Sequence, residues 1–400
     1  FIFCFEGLAQ ENNYRHYLRK RYTRRDTLRG ALSPERKAFD VFYYDLSVRI
    51  PKSRGTIKGG NSIHFIVKNA TRRIQLDLYK NMKIDAIYLE GSSEVTALPF
   101  SREHHTVYVD FKEALQKDST YTVRVEYQGI PLSNKWEYQY KGFIWEKDAK
   151  YRPWIGVSCE HIGASLWWPN KDHLSDEPDS MRIHLQVPID QTCISNGVLE
   201  STEDIGKERI YHWFVQNPID NYNVSFILGS YIKSTLPYKN REGDWEIELY
   251  TLDYDIKHAK KYFNYAPTAL QFFETLFGTY PFWNDKFALV QSPYSGMEHQ
   301  GCLAIGENLA FYKNWYYAYQ VPWHSTLVHE MAHEWWGNSV SISDMADAWL
   351  QEGFATYAEM LFIERMLGKE AYEKSVNYLK YFIEYDYPVL GIPGLNDNTF

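Results

Sequence analysis

The chain has 400 residues and a mass of 47.3 kDa, more than one compact domain usually holds, so a peptide or a lone small module is excluded. Hydrophobic residues make up 44% and charged residues 24%, with a mean hydropathy of -0.48, which excludes a disordered chain and an integral membrane protein. The formal net charge is -8, and the high aromatic share of 17% favours strand-rich structure or an aromatic-lined cleft.

The chain opens with two segments that precede the predicted fold. Residues 1–9 resemble the tail of a secretory signal, which favours a periplasmic or secreted protein, with a cytoplasmic location as the alternative. Residues 15–37 hold nine Lys or Arg against two acids, as a basic arm for nucleic acid or an anionic membrane would. We favour a solvated leader helix and expect no nucleic-acid partner, because no base-stacking platform or base-reading motif follows. No apolar run reaches 18 residues, so no transmembrane segment is expected.

The first half of the chain alternates apolar and polar residues with period two, which predicts β-strands. The pattern is interrupted by Gly and Pro clusters such as Gly59-Gly60, as expected for the strands of a sandwich or a saddle-shaped sheet. The predicted strands cover residues 42–50, 63–67, 74–78, 106–108, 121–127, 183–187, 211–215, 224–228 and 246–252.

Beyond residue 255 the apolar period changes to that of helices, predicted over residues 259–277, 322–336, 348–367 and 371–387, with one short strand at 287–290. Gly337 and Gly368 stand where helix C-terminal caps are expected. The predicted fold class is therefore α+β and multidomain. A leader and basic arm at 1–38 precede an all-β saddle or sandwich domain at 39–238 and a mainly helical domain at 239–400.

The sequence His-Glu-Met-Ala-His at 329–333 places two imidazoles on one helical face, where His329 and His333 can bind one Zn²⁺. Glu330 then lies beside the position of a metal-bound water. Glu352, nineteen residues after His333, supplies a third ligand and leaves the fourth position to water, the arrangement of a catalytic zinc site. Glu359 follows at i+7 on the same helical face as Glu352 and is a candidate to orient a ligand histidine. The alternative for His329 and His333 is that they are hydrogen-bonded histidines in a Trp-rich core. The alternative for Glu359 is that it is a surface glutamate.

The stretch His-Glu-Met-Ala-His-Glu-Trp-Trp-Gly-Asn at 329–338, with Trp-Leu-Gln-Glu-Gly-Phe at 349–354, resembles the gluzincin aminopeptidases. This group contains aminopeptidase N and leukotriene hydrolase, and the resemblance runs from about Asp40 to the end of the chain. It implies a saddle-like β domain followed by a thermolysin-like zinc catalytic domain, one Zn²⁺ per chain, and peptide substrates with a free N-terminus.

The resemblance also implies roles for residues outside the zinc motif. Glu298 matches the family glutamate that holds the substrate's α-amine, and Gly296 and Met297 match the sheet edge that pairs with the substrate backbone. His299 stands where the family has Asn, so the family's local hydrogen bonding is not carried over to this position, whereas the role of the Glu298 carboxylate is. Glu160, in Ser-Cys-Glu at 158–160, matches a second amine anchor.

The family also uses a tyrosine that donates a hydrogen bond to the tetrahedral oxyanion. Only 48 residues follow Glu352, and no tyrosine among them stands in a recognisable version of that motif. We therefore expect that the catalytic domain is truncated here and that this tyrosine lies beyond residue 400.

The leading hypothesis is a zinc aminopeptidase in which Glu330 moves the proton of the attacking water. Two alternatives remain open at this stage. One is a hydrolase of the leukotriene hydrolase type, bifunctional or acting on another substrate, and the other is an inactive scaffold of the same fold. Equal cleavage of N-acetylated peptides would argue against the aminopeptidase, and the absence of bound zinc would favour the scaffold.

Overall fold

The computed structural model describes residues 23–91, 95–136, 139–306, 321–323, 325–381 and 394. The predicted signal remnant at 1–9 and the predicted helical residues after 381 lie outside these ranges. Within the described ranges, no helix is both long enough and apolar enough to cross a bilayer.

The first part of the chain is rich in β-strands, as the period-two pattern predicts, and the described strands form three sheets. An eight-stranded sheet has the order β14 (Val198–Ile205), β15 (Glu208–Val215), β12 (Ser180–Pro188), β1 (Phe39–Arg49), β2 (Ile57–Val67), β8 (Thr120–Gly129), β4 (Met82–Glu90) and β5 (Val95–Ala97). A three-stranded sheet contains β3 (Thr71–Asp77), β7 (Thr106–Leu115) and β6 (Phe100–Glu103). A five-stranded sheet contains β13 (Thr192–Ser195), β16 (Phe226–Gly229), β11 (Pro153–Ser158), β10 (Gln139–Lys147) and β9 (Ser133–Trp136).

Strand β1 shows where the simple alternation fails. Tyr44, Leu46 and Val48 are buried as predicted, but the register with β2 shifts between Val41 and Tyr43. A β-bulge inserts one extra residue and so reverses the face on which the preceding side chains lie. Val41 is therefore buried, whereas Phe42, which the alternation places in the core, is only partly buried.

A fourth, mixed sheet opens the second part of the chain. It has the order β17 (Tyr231–Asn240), β18 (Gly243–Leu252), β19 (Phe287–Val290) and β20 (Cys302–Ala304), in which β18, β19 and β20 are parallel. The predicted domain boundary between residues 238 and 239 lies inside β17 and stays a prediction.

The helices of the second part follow the predicted order with small shifts. They are α3 (Ile256–Phe263), α4 (Ala266–Phe277), α5 (Ser325–His333), α6 (Trp349–Leu367) and α7 (Lys369–Tyr381). The helix predicted over 259–277 is two helices, because Pro267 at the second position of α4 has no N–H to continue a preceding helix. Gly368, with a φ of 85°, ends α6 as predicted. A β-rich part followed by a helical part confirms the predicted fold class.

The described part of the basic segment is not a solvated leader. It forms α1 (Arg24–Gly30) and α2 (Pro34–Lys37). Helix α2 packs on β1 and β3, and Gln75 of β3 donates to the carbonyl oxygen of Leu28 in α1. Arg36 is fully buried, and its guanidinium lies 2.7 Å from the carboxylate of Asp77 while donating to the carbonyl oxygens of Arg29 and Ala31. The prediction of a solvated leader helix was wrong for these residues, because the sequence does not distinguish a buried arginine from an exposed one.

We expect Arg36→Ala to lower the free energy of unfolding by about 3–5 kcal/mol, since it leaves the buried carboxylate of Asp77 without its cation. The measurement is urea unfolding followed by tryptophan fluorescence. Arg24→Ala is the matched control, because Arg24 pairs with Glu103 at the exposed surface, and the unfolding midpoint should barely move. Equal midpoints for the two variants would contradict the structural role of Arg36.

Candidate active site

Helices α5 and α6 bring the three predicted metal ligands together. The Nε2 atoms of His329 and His333 lie 3.2 Å apart, one helical turn from each other on α5. From the first turn of α6, Glu352 places its carboxylate oxygens 3.5 Å from Nε2 of His329 and 3.8 Å from Nε2 of His333. One ligand atom from each residue falls within a 4.8 Å group. In a tetrahedral zinc site with bonds of about 2.0–2.1 Å, neighbouring ligand atoms lie about 3.3 Å apart, so these three residues fit a zinc ion.

The outer nitrogens of both imidazoles face acceptors that favour this arrangement. Nδ1 of His333 lies 2.9 Å from the carbonyl oxygen of Trp336, and Nδ1 of His329 lies 3.8 Å from a carboxylate oxygen of Glu359. The contact of His333 is a hydrogen bond, which holds the proton at Nδ1 and leaves the Nε2 lone pair for a metal. The contact of His329 is longer than a hydrogen bond and places the carboxylate of Glu359 beside the ring. Glu359 is buried, which excludes the alternative of a surface glutamate.

Glu330 lies against the backbone of Gly296. A Cβ atom built on Gly296 would meet Oε1 of Glu330 at 2.0 Å, far inside van der Waals contact. An alanine at position 296 would therefore displace the side chain of Glu330. Burial, and next the charges of Glu352 and Glu160, raise the pKa of Glu330 well above its usual value.

Residues 296–298 lie along the edge of the fourth sheet, next to β20. Met297 exchanges both backbone hydrogen bonds with Ala304, at 3.1 and 2.9 Å. The side chain of Asn338, which follows α5, donates to the carbonyl oxygen of Glu298 at 2.8 Å, and Asn223 donates to Oδ1 of Asn338 at 2.7 Å. The two asparagines thus connect the edge both to the segment that follows α5 and to the β-rich part.

The carboxylates of Glu160 and Glu298 meet that of Glu352, so that one oxygen from each falls within a 4.8 Å group. Burial, with the charges of Glu160 and Glu330, raises the pKa of Glu298 well above its usual value. Burial acts in the same direction on Glu160, but the adjacent His161, with Nε2 at 3.0 Å, more than offsets it and lowers the pKa. The group is a concentration of negative charge that a cation can neutralise.

An open cleft of about 730 Å³, counting the space continuous with solvent, adjoins Glu160. Its lining includes Tyr222 and Gln351, together with Arg29 and Gly30 of the N-terminal segment. Sequence reasoning missed Tyr222, Asn223 and Arg29 as neighbours of the site, because no local motif marks a contact between distant segments.

His299 is completely buried, and within the described part of the chain neither of its ring nitrogens has a hydrogen-bond partner. Burial lowers its pKa to about 3, so the ring is neutral. The carbonyl oxygen of His299 accepts a hydrogen bond from the N–H of Cys302 at 2.8 Å, so this residue is bonded through its backbone.

Comparison with known proteins gives matches to two family models. The model described as the peptidase M1 N-terminal domain matches residues 41–222, and the model described as the peptidase family M1 domain matches residues 262–387. All of the candidate site residues fall inside these two ranges.

Similar curated proteins are aminopeptidases. Endoplasmic reticulum aminopeptidase 1 of Mus musculus is 25% identical over 335 residues, which cover 80% of this chain and 35% of the relative. Aminopeptidase 2 of Candida albicans is 26% identical over 324 residues, which cover 79% of this chain and 34% of the relative. Aminopeptidase Ey of Gallus gallus is 30% identical over 181 residues, which cover 44% of this chain and 18% of the relative. The chain spans about a third of the length of the first two relatives.

Solved structures share the fold. The M1 zinc metallopeptidase from Deinococcus radiodurans superposes with a TM-score of 0.74 at 20% identity, covering 88% of this chain and 77% of that one. A variant of it bound to a Tyr-Ser-Ala substrate gives a TM-score of 0.74 at 19% identity, covering 92% and 81%.

We expect His333→Ala to lower the zinc content from ~1 per chain to near zero after dialysis, because it removes one of three protein ligands. Glu359→Gln should keep this stoichiometry at saturating zinc but weaken the affinity about 10–100-fold. Elemental analysis and a competing chelator measure both quantities. Glu298→Gln is the control, a buried carboxylate outside the ligand set that should leave the zinc content unchanged, and a His333→Ala protein that retains zinc would contradict the assignment.

Proposed function

The chain belongs to peptidase family M1, and from that premise we propose that it carries the zinc site of an aminopeptidase, which hydrolyses the N-terminal peptide bond of peptides. The observation that carries the proposal is the position of Glu160 and Glu298, whose carboxylates lie beside Glu352 of the metal-ligand set. This arrangement suits a substrate that brings one positive charge to within a few ångströms of the bond to be cut.

His329, His333 and Glu352 would hold the zinc ion. When bound, zinc lowers the pKa of a coordinated water and withdraws electron density from the carbonyl oxygen of the substrate. Glu330, whose ionised form is favoured by that nearby positive charge, accepts a proton from the attacking water and delivers it to the leaving nitrogen. Because Gly296 has no side chain, the carboxylate of Glu330 can lie against its backbone, in a position that a larger residue would deny it.

Glu160 and Glu298 account for the requirement for a free N-terminus. A protonated α-amine forms charge-assisted hydrogen bonds with both carboxylates and offsets their mutual repulsion. An internal peptide segment brings no cation, and it leaves the buried negative charge unpaired at a large cost in binding free energy.

The edge formed by Gly296 and Met297 supplies backbone pairing for the substrate. Met297 uses both of its backbone groups on Ala304, and in an antiparallel pair the neighbouring residue directs its own groups to the opposite side. The N–H and carbonyl oxygen of Gly296 therefore face away from β20, where an extended peptide can add as a further strand.

We expect Glu330→Gln to lower kcat by about 10²–10⁴-fold without loss of zinc, because glutamine can neither accept nor deliver the proton. The assay is the release of p-nitroaniline from aminoacyl p-nitroanilides by the zinc-loaded protein, with zinc content measured on the same samples. N-acetylated versions of the same substrates are the control and should not be cleaved. Equal cleavage of free and acetylated substrates would refute the assignment of an aminopeptidase.

We expect Gly296→Ala to lower kcat/KM by about 100-fold with zinc retained, because the added methyl group occupies the position of the Glu330 carboxylate. Gly353→Ala is the matched control. Gly353 lies next to Glu352 in α6, and a Cβ built on it meets nothing within 4 Å, so alanine should be tolerated there. A Gly296→Ala protein as active as Gly353→Ala would show that Glu330 is not confined as the structure indicates.

A further inference from the structure

Glu160 lies at the start of a tight turn whose backbone conformation is unfavourable in isolation. The N–H of Gly163 donates to the carbonyl oxygen of Cys159 at 2.8 Å, and the N–H of Ile162 donates to that of Glu160 at 2.7 Å. His161, at the centre of the turn, has a φ of 61°. A non-glycine residue adopts this left-handed conformation only where the surroundings hold it there.

Arg29 provides that support from α1. Its Nη2 donates to the carbonyl oxygen of His161 at 2.8 Å, and its Nη1 donates to the hydroxyl of Tyr79 at 2.9 Å. The hydroxyl of Tyr79 donates in turn to the carbonyl oxygen of Ile162 at 2.9 Å. One guanidinium group thus holds two consecutive carbonyl groups of the turn, the first directly and the second through Tyr79.

The end of α1 is itself fixed, so that Arg29 acts from a rigid support. The buried guanidinium of Arg36 donates to the carbonyl oxygen of Arg29 at 2.8 Å. Gln75 donates to the carbonyl oxygen of Leu28 at 3.2 Å. Nε2 of His173 lies 3.2 Å from the carbonyl oxygen of Gly30. These contacts hold α1 against the β-rich part at the border of the cleft that Arg29, Gly30 and Glu160 line together.

We propose that Arg29 is a positioning residue for the recognition of the substrate's free amine, acting by holding the turn that carries Glu160. The inference rests on the proposed function, because it takes Glu160 as an amine anchor. When Arg29 is removed, the turn gains alternative conformations, and the Glu160 carboxylate is no longer fixed where an amine meets Glu160 and Glu298 together. The loss should fall on ligands with an amine and spare those without one.

The test compares two ligands on the zinc-loaded protein by calorimetry, L-tryptophan and 3-indolepropionate, which differ only in the α-amine. The parent protein should bind L-tryptophan more tightly, and the ratio of the two dissociation constants measures amine recognition. Arg29→Ala should reduce this ratio about 10-fold, by weakening L-tryptophan binding alone. With aminoacyl p-nitroanilides, KM should rise by a similar factor while kcat stays nearly constant, as expected when substrate binding is lost uniformly.

Arg24→Ala is the matched control. Arg24 lies on the same helix and carries the same charge, but it pairs with the exposed Glu103, so its removal should leave the ratio unchanged. Tyr79→Phe is the second variant and serves if Arg29→Ala fails to fold. It removes only the hydroxyl that links Arg29 to the carbonyl oxygen of Ile162, and it should reduce the ratio in the same direction by a smaller factor.

A parental ratio in Arg29→Ala and Tyr79→Phe, or an equal loss for both ligands, would overturn the positioning role and leave the proposed function intact. A parent protein that binds the two ligands equally would refute the anchoring role of Glu160 and Glu298. It would also refute the inference about Arg29. Equal binding of the two ligands is measured on the parent protein alone, so this outcome is distinguished from a failure of the variants.

Discussion

The concentration of carboxylates at the centre of the molecule is the constraint on which the other features of the site depend. Glu160 comes from the β-rich part, Glu298 from a sheet edge and Glu352 from α6, yet their oxygens fall within one 4.8 Å group, with Glu330 close by. Two unit negative charges 4 Å apart repel by about 4 kcal/mol at an effective dielectric constant of about 20. Such a group can persist only if the fold holds it rigidly, if some carboxyl groups remain protonated, or if cations bind. The raised pKa of Glu298 favours a protonated carboxyl group. A metal ion and a protonated amine are the cations that would neutralise the remaining charge.

Rigidity is supplied by contacts between the β-rich and helical parts. Lys286, beside β19, is buried and donates to the carbonyl oxygens of Ser195 and Gly197. Asn196, between those two residues, donates to the carbonyl oxygen of Gln300 at 2.9 Å. The hydrophobic core of the β-rich part continues without interruption to Met297 and Ala304. The sheet edge that carries Glu298 is therefore packed into the same core as the sheets that carry Glu160, so the relative position of the two carboxylates does not depend on a flexible hinge.

The sequence predicts those features that repeat or that follow a fixed spacing. Period-two alternation locates most strands, and the spacing of His329 and His333 requires a shared helical face. Glu298 and Glu160 could be identified only by resemblance, since nothing local separates them from other glutamates. The bulge in β1 and the role of Asn338 were not predicted, because both depend on partners distant in sequence. The contact between Gly296 and Glu330 was not predicted for the same reason, since the two residues are distant in sequence.

The basic N-terminal segment shows how one property in sequence can conceal two physical roles. Arg24 is exposed and paired with Glu103, whereas Arg36 is fully buried and serves as a donor to backbone carbonyls and to Asp77. Burying a guanidinium is costly unless its donors are satisfied. The donors of Arg36 are satisfied in part by the carbonyl oxygens of Arg29 and Ala31, so the buried arginine fixes the end of α1. This helix lies before residue 41, where the match to the family begins. In the arrangement that we propose, recognition of the amine uses a helix outside the matched ranges to stabilise a turn inside them. The groups that Arg29 and Tyr79 hold are backbone carbonyl oxygens, so the side chains of the turn do not determine which segment of the chain supplies the donor.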